Sequence, residues 1–326
     1  MSGFGGPVVL CFGIVDEADI VEDFLDYHLS LGVERFVATD VGSSDGTLDI
    51  LSRYERSGRL HLTRLTNPSV RAEQRDWLSG MATIARERWR AAWCLFCDPD
   101  EFWVFPDGDA PSYLRAVPAS IAIFPRFNML PAAASGTGEA AHYRSFDLVV
   151  RRPLEFLYDL GRLDQPDGAR WVLDAHPPDI LRFVGPKVLA RADVIRAVKP
   201  GFHDVETIGP VPRHRETRGY VGHFQIRGAA QYANKARLVA DYIAANPPGA
   251  DRASSRHWVR LAALYHHGLI AAEYARQILD ADAVAALLRD GVVERDGRIA
   301  ARLALLGHEP RPAATRQMLP RHQAAH

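Results

Sequence analysis

The strongest constraint on the fold is an alternation within the first hundred residues. PVVLCFGIV (residues 7–15) is a continuous apolar, β-branched run, as found in parallel strands covered on both faces. After it, Asp16 is positioned to cap a helix in which Ile20, Phe24, Leu25, His28 and Leu29 recur at helical spacing, with Gly32 as its stop. ERFVATD (34–40) reads as a second strand, and VGSSDG turns into the helix TLDILSRYERSG. RLHLTRL (59–65) is a third strand. Residues 71–91 carry Trp77, Leu78, Met81, Ile84 and Ala85 at helical intervals before a fourth strand that ends at Asp98. The order β-α-β-α-β-α-β predicts an α/β fold, a parallel sheet with helices on both faces.

The pattern then changes. Residues 120–130, 142–153, 183–195 and 219–228 read as strands separated by Pro/Gly-rich loops without intervening helices, an antiparallel half added to the parallel one. From Ala229 the chain turns helical, over 229–245, 257–279 and 281–293, and residues 307–326 lack periodicity and read as a flexible tail. The expected division is a domain over 1–228, with a nucleotide-binding half (1–106) and an acceptor half (107–228), then a helical extension (229–306).

Composition excludes several classes. Lys plus Arg number 39 against 40 Asp plus Glu, a net charge of -1, so no global basic field points to nucleic acid. Three cysteines cannot make a disulfide framework. Cys94 and Cys97 form a C-x-x-C, but inside a strand positions i and i+3 face opposite sides, so they read as buried thiols. No apolar run approaches the roughly 20 residues that span a bilayer, and the N-terminus lacks a signal-peptide pattern. The expectation is a cytoplasmic protein without a transmembrane segment, peripheral membrane contact remaining open.

In an open parallel sheet, ligands bind beyond the carboxyl ends of the strands. Here those ends carry Asp16 and Glu17, then Asp40 running into Gly42-Ser43-Ser44-Asp45-Gly46-Thr47, then Asp98-Pro99-Asp100. So many carboxylates on one edge repel unless something cationic is held there. Asp98 and Asp100 stand at i and i+2, on one side if the chain stays extended. Hard oxygen ligands with few protein partners suit Mg²⁺ or Mn²⁺ bridging to a diphosphate. Solvated loop charge explains a lone D-x-D equally well. A Gly/Ser-rich turn entering a helix can approach an anion, or serve only as turn and cap through Ser44 or Asp45.

Together these segments resemble a known family. EADIVEDFLDYHLSLGVERFVATDVGSSDGTLDIL is similar to the opening of family 2-type glycosyltransferases of the GT-A fold, in the subset related to family 92, where Y-H-x-x-L-G precedes D-N-G-S-x-D-G-T. WCLFCDPDEFW resembles that subset's D-x-D-E-F strand, with Gln74 and Trp77 in the preceding helix. GPKVLARADVIRAVKPGFHDV resembles its P-K-x-(I/V)-x-R segment with G-x-H, and GHFQIRGAAQYANKA its H-Y/F-x-x-R segment. The resemblance implies a metal-dependent, inverting transfer from a nucleotide-sugar, a UDP-sugar first among them, to a hydroxyl acceptor on a glycan, lipid or small molecule. It implies that Asp16, Glu17, Asp40, Gly42, Ser43 and Asp45 hold the nucleotide. Asp98 would serve the ribose or diphosphate side and the metal, and Asp100 the metal. His203 and His223 are both candidates for a late metal ligand, and Lys187, Arg227 and Lys235 for neutralising diphosphate or acceptor charge. Asp16 and Val41 depart from the pattern, each where Asn is usual, and Gly228 stands for Ser.

No motif marks the catalytic base. Asp147, Glu155, Asp174 and Asp179 all lie where an acceptor would arrive. Phe102, Trp103, Tyr143 and Trp171 are candidates for stacking on sugars or for the core. A dehydrogenase is excluded because no G-x-G-x-x-G follows the first strand; Gly136-x-Gly138-x-x-Ala141 sits in an Ala-rich loop. Two alternatives remain open at this level: a nucleotidyltransferase on a similar sheet, and a non-catalytic glycan-binding relative.

Overall fold

The computed structural model describes residues 5–65, 74–131, 133, 141–163, 165, 167–246 and 256–308. Residues 309–326 of the expected tail, and Gly136 and Gly138, lie outside the described residues. The N-terminal alternation forms as expected: β1 (Val8–Ile14), α1 (Val21–Ser30), β2 (Arg35–Asp40), α2 (Thr47–Arg56), β3 (Leu60–Arg64), α3 (Gln74–Trp89) and β4 (Trp93–Phe96). β1 lies parallel between β2 and β4, and β3 extends β2 in parallel. Side chains of β1 alternate between two cores: Val8, Leu10, Phe12 and Ile14 pack with α1, and Val9 and Cys11 with Leu78, Met81 and Ala85 of α3. Cys94 and Cys97 are buried free thiols on these opposite faces.

Gly13 shows how closely α3 lies on the sheet. A Cβ there would stand 2.6 Å from the Trp77 ring, which is half-buried against the core on that face. Gly13→Ala is therefore expected to cost about 1–3 kcal/mol by overpacking, read as a lowered denaturant midpoint with an unchanged slope.

The chain continues through β5 (Glu101–Val104), α4 (Ala110–Ala116), β6 (Ile121–Phe124), β7 (Arg126–Asn128), β8 (Leu148–Val150), α5 (Gly168–Asp174), β9 (Lys187–Arg191), β10 (Ile195–Val198), β11 (Val205–Thr207), β12 (Arg213–Arg215) and β13 (Tyr220–His223). The expected antiparallel half is corrected here. β6, β9 and β12 join the first sheet in the order β12-β6-β9-β4-β1-β2-β3, and within it only β9 runs against its neighbours. The run 120–130 breaks at Pro125, which supplies no N–H to a ladder, so β6 and β7 enter different sheets. Of 142–153 only β8 is strand; residues 143–145 form a 3-10 turn.

A second, three-stranded sheet, β5-β13-β7, sits over the carboxyl edge of the first. Its placement depends on α1. The Tyr27 hydroxyl donates to the Trp103 carbonyl at 2.9 Å, and the Trp103 N–H points at His28 Nε2 at 3.4 Å. Burial pushes His28 down to about 3, so it is a neutral core residue. The Y-H pair of the resemblance thus anchors the strand that follows Asp98-Pro99-Asp100.

The C-terminal part holds α6 (Ala229–Ala245), α7 (Arg256–His266), α8 (Ile270–Gln277), α9 (Ala281–Arg289), β14 (Val293–Arg295) and α10 (Arg298–Leu305). The helix expected over 257–279 is two, divided at Gly268, whose φ of +69° ends α7. These elements do not stand apart: β14 pairs with β8, and one buried cluster joins Leu148, Leu173 and Ile180 to Tyr232, Leu264 and Tyr274.

Candidate active site

The register of the small sheet builds the site. In β13, His223 stands opposite Glu101 of β5 and Asn128 of β7, so the three side chains share one face. Asp100 precedes Glu101 in the turn after β4, and its carbonyl accepts the Phe224 N–H at 2.7 Å. Among the described residues, Asp100, Glu101 and His223 bring ligand atoms within 4.8 Å of one another, all three buried.

The electrostatics separate these groups. Glu101 contacts Arg126 with one oxygen and Lys187 at 2.9 Å with the other, and also accepts the Asp98 N–H. Burial opposes its ionisation, but Lys187 and Arg126 hold it down to about 2. Asp100 faces His223 Nε2 at 3.5 Å, Lys235 Nζ at 3.4 Å and Arg227 at 3.9 Å. Against burial, these neighbours hold its carboxyl well below the usual range. Burial in turn keeps His223 below its ordinary value, with Asp100 pulling the other way.

Asn128 decides the His223 tautomer. Its amide nitrogen donates to the carbonyls of Ile180 (2.8 Å) and Arg182 (3.2 Å), which can only accept. Its Oδ1 therefore faces His223 Nδ1 at 2.8 Å and must accept from it. With Nδ1 donating, Nε2 faces an ionised carboxylate, an arrangement relieved by a second proton on the ring, which burial opposes, or by a cation between the two groups. The donor set fits a divalent ion: one imidazole and one carboxylate, the imidazole oriented by its second partner Asn128.

Other candidates fall elsewhere. The two Asp side chains of D-x-D diverge, because the chain turns after Phe96 and the Glu101 N–H bonds the Asp98 carbonyl. Asp98 pairs with Lys187 at 2.7 Å, its side chain 42% exposed. Lys187 is fully buried beneath it, also donating to the Gly201 carbonyl at 3.0 Å, so it orders acidic residues rather than reaching a ligand. His203 binds the Pro186 carbonyl at 2.8 Å and packs beside Gly185 and Gly201, outside the Asp100 group. Burial and then Lys187 press it down to about 4.

The nucleotide-side carboxylates largely serve their own loops. Asp40 accepts the Gly42 and Ser43 N–H groups at 3.1 and 3.2 Å. Asp45 accepts those of Ala18 and Thr47, ahead of the helix cap at Gly46. Asp16 does not cap α1, whose cap is Ile20. With φ at 51°, it turns back to accept the Ser44 N–H at 2.6 Å, and Ser43 Oγ accepts its own N–H. The β1 and β2 loops are thereby laced together. Glu17 and Asp19 grip Arg227, whose side chain is 1% exposed. Burial raises Glu17 to about 8, with Arg227 opposing and Asp100 adding to the rise. The repulsion expected among the carboxylates is thus answered by loop N–H groups at Asp16, Asp40 and Asp45 and by internal cations at Glu17, Asp19, Asp98 and Glu101, and the case for a metal rests on His223 and Asp100. Lys235, 33% exposed, is the cation at Asp100 that solvent reaches.

The base candidates stand apart from this centre. Asp147 pairs with Arg295 of β14, Asp174 with Arg170 one turn earlier, and Glu155 is exposed. Asp179 is bound by Arg182 and Tyr158, which hold it well below the usual range against burial. Phe102, Trp103 and Tyr143 are core, and half-buried Trp171 lies under Arg162. Sequence reasoning missed Asn128, Glu101 and Arg126; an Asn closing a strand in register with a His carries no local signal.

A mainly parallel sheet in this order, with acidic loops and a late histidine at its carboxyl edge, agrees with the GT-A architecture that the sequence resemblance implies. Residues 6–134 match the family described as Glycosyltransferase family 92, so the N-terminal region is similar to these glycosyltransferases. A Glycosyltransferase family 92 protein of Oryza sativa subsp. japonica is 28% identical over 130 residues, 40% of this chain and 21% of the rice protein; the match thus spans about a fifth of that relative's length. Among solved structures, S. aureus TarS 1-349 superposes with a TM-score of 0.37 at 11% identity, covering 80% of this chain and 70% of that one. Glucosyl-3-phosphoglycerate synthase from Mycobacterium tuberculosis, in complex with Mn2+, UDP and phosphoglyceric acid, gives 0.33 at 15% identity, covering 76% and 81%. Among the described residues no helix is long and apolar enough to cross a membrane.

Proposed function

We propose that this chain transfers a sugar from a nucleotide-sugar donor to a hydroxyl acceptor, with inversion, using Mn²⁺ or Mg²⁺ held by His223 and Asp100. The observation that carries the reading is His223 Nε2 standing 3.5 Å from the Asp100 carboxylate, with Nδ1 held by Asn128, beyond the carboxyl edge of a sheet similar to family 92. When bound, the ion would neutralise charge on the diphosphate leaving group. The protein's own part is positional. Asp16, Asp40 and Asp45 shape the β1 and β2 loops where a nucleotide would lie, Asp98 stands on the exposed side of the same turn, and Lys235 offers a solvent-reachable cation for the departing phosphate. Arg227 holds Glu17 and Asp19 in place. The acceptor base is one of Asp147, Glu155, Asp174 and Asp179, of which Glu155 and Asp174 are exposed.

The test is the thermal midpoint of the purified chain against UDP, GDP, dTDP and CMP, with and without Mn²⁺. A ligand at a hundredfold excess over its Kd stabilises the folded state by about 2.7 kcal/mol. The expected result is a midpoint raised by one nucleotide only when the metal is present; no shift with any nucleotide would overturn the reading. Turnover releasing nucleoside diphosphate rather than pyrophosphate separates sugar transfer from nucleotidyl transfer.

A further inference from the structure

The C-terminal helices reach His223 through buried hydrogen bonds that pass by way of the Ile180 backbone. They begin at Arg260 of α7, 2% exposed, whose guanidinium grips Glu273 of α8 bidentately at 2.8 and 2.7 Å. Glu273 is fully buried, and its carboxylate can only accept. The Gln277 amide nitrogen donates to it at 2.6 Å, which turns Gln277 Oε1 toward the Ile180 N–H at 2.8 Å. Ile180 in turn offers its carbonyl to Asn128, and Asn128 offers Oδ1 to His223. Each side-chain link has one allowed direction; the link through Ile180, whose N–H and carbonyl belong to different peptide groups, is one of backbone position, holding its carbonyl where Asn128 meets it.

We propose that Arg260, Glu273 and Gln277 are positioning residues for the metal site: by orienting Ile180 they orient Asn128, and so impose on His223 the tautomer whose Nε2 is free to bind the ion. The inference rests on the metal-site reading above. The helical part of the chain is then a component of the active site rather than a cover for the sheet. Three buried polar side chains in α7 and α8 otherwise have no assignment, and a charged pair enclosed in an apolar cluster gains little stability over apolar residues of similar volume. Setting a ligand's direction is a use such a chain can have, and second partners of metal-bound histidines commonly govern affinity by 10–100-fold.

The tautomer is measured directly. In the full chain labelled with ¹⁵N-histidine, long-range ¹H–¹⁵N correlation spectra distinguish an Nδ1–H from an Nε2–H imidazole, with His223→Ala supplying the assignment. The wild-type chain without metal is expected to show His223 as Nδ1–H. Gln277→Met, which keeps the volume and removes the acceptor, is expected to mix the two tautomers and weaken Mn²⁺ binding by about tenfold; Asn128→Leu should do both more strongly. A wild-type His223 in the Nε2–H form overturns the proposal without any variant, should Gln277→Met fail to fold. Unchanged tautomer and unchanged Mn²⁺ affinity in folded Gln277→Met also overturn it, while Mn²⁺ binding lost in Asp100→Asn would leave the metal site standing. Mn²⁺ binding unaffected by Asp100→Asn and His223→Ala removes the metal reading and this proposal with it.

Discussion

Asp100→Asn is expected to reduce sugar transfer by about 10³-fold or more, the scale of several kcal/mol of leaving-group stabilisation, while the chain still folds. The carboxylate lies 3.5 Å from His223 Nε2 and is the ionised member of the buried group not already contacted by Arg126 or Lys187. The amide keeps its shape but removes the charge that a divalent ion needs. Stability should change modestly and in a pH-dependent way. Because the folded state holds Asp100 well below its unfolded value, its contribution is present above about pH 4 and is lost as pH falls below that. The gap in thermal midpoint between wild type and Asp100→Asn should therefore narrow on acidification. Full transfer activity in the variant would remove Asp100 from the metal site, and an unfolded variant would show that its pairing with Arg227 and Lys235 is primarily structural.

Arg227→Met is expected to produce the largest loss of stability. Its side chain is 1% exposed and bonds Glu17 and, at 2.8 and 3.0 Å, Asp19. The methionine fills the space but leaves the enclosed Asp19 carboxylate without its cation, and breaking one partner of a buried ion pair costs about 3–5 kcal/mol. For a chain of this size that corresponds to a midpoint lowered by roughly 4–7 °C. Differential scanning calorimetry of the unliganded protein decides the matter. A midpoint within a degree or two of wild type, with nucleotide binding lost, would mean that Arg227 serves the ligand rather than the fold.

The sheet was readable because burial on both faces leaves a compositional mark. β1 to β4 are runs of apolar and β-branched residues spaced by helical patterns, and no tertiary information is needed to see them. Later strands were harder. β5, β11, β12 and β14 are three or four residues long, too short for periodicity to register. The partition of 120–130 between two sheets follows from Pro125 together with the partners each half finds, and only the second of these lies outside the sequence.

The site divides in the same way. Its acidic residues were legible, since Asp16, Asp40, Asp98 and Asp100 follow strands whose carboxyl ends bind ligands as a rule of topology. Which of them act together was not. D-x-D suggested one metal site for Asp98 and Asp100, yet a turn at Pro99 sends them to Lys187 and to His223. His203 and His223 stood equal in sequence; only the register of β13 with β5 and β7 distinguished them, by setting His223 beside Asp100 and in reach of Asn128.

By itself, then, the amino-acid order determined a parallel α/β sheet with acidic loops at its carboxyl edge, because strand burial, helix periodicity and turn chemistry are local properties. The tertiary structure decided which charges cancel and which stay poised: Lys187 and Arg227 come from segments far along the chain to neutralise Glu17, Asp19, Asp98 and Glu101, and Asn128 comes to turn one histidine nitrogen toward one carboxylate. Pairing energies of buried charges depend on distances of a few ångströms, and those distances exist only once the sheets, loops and C-terminal helices have packed.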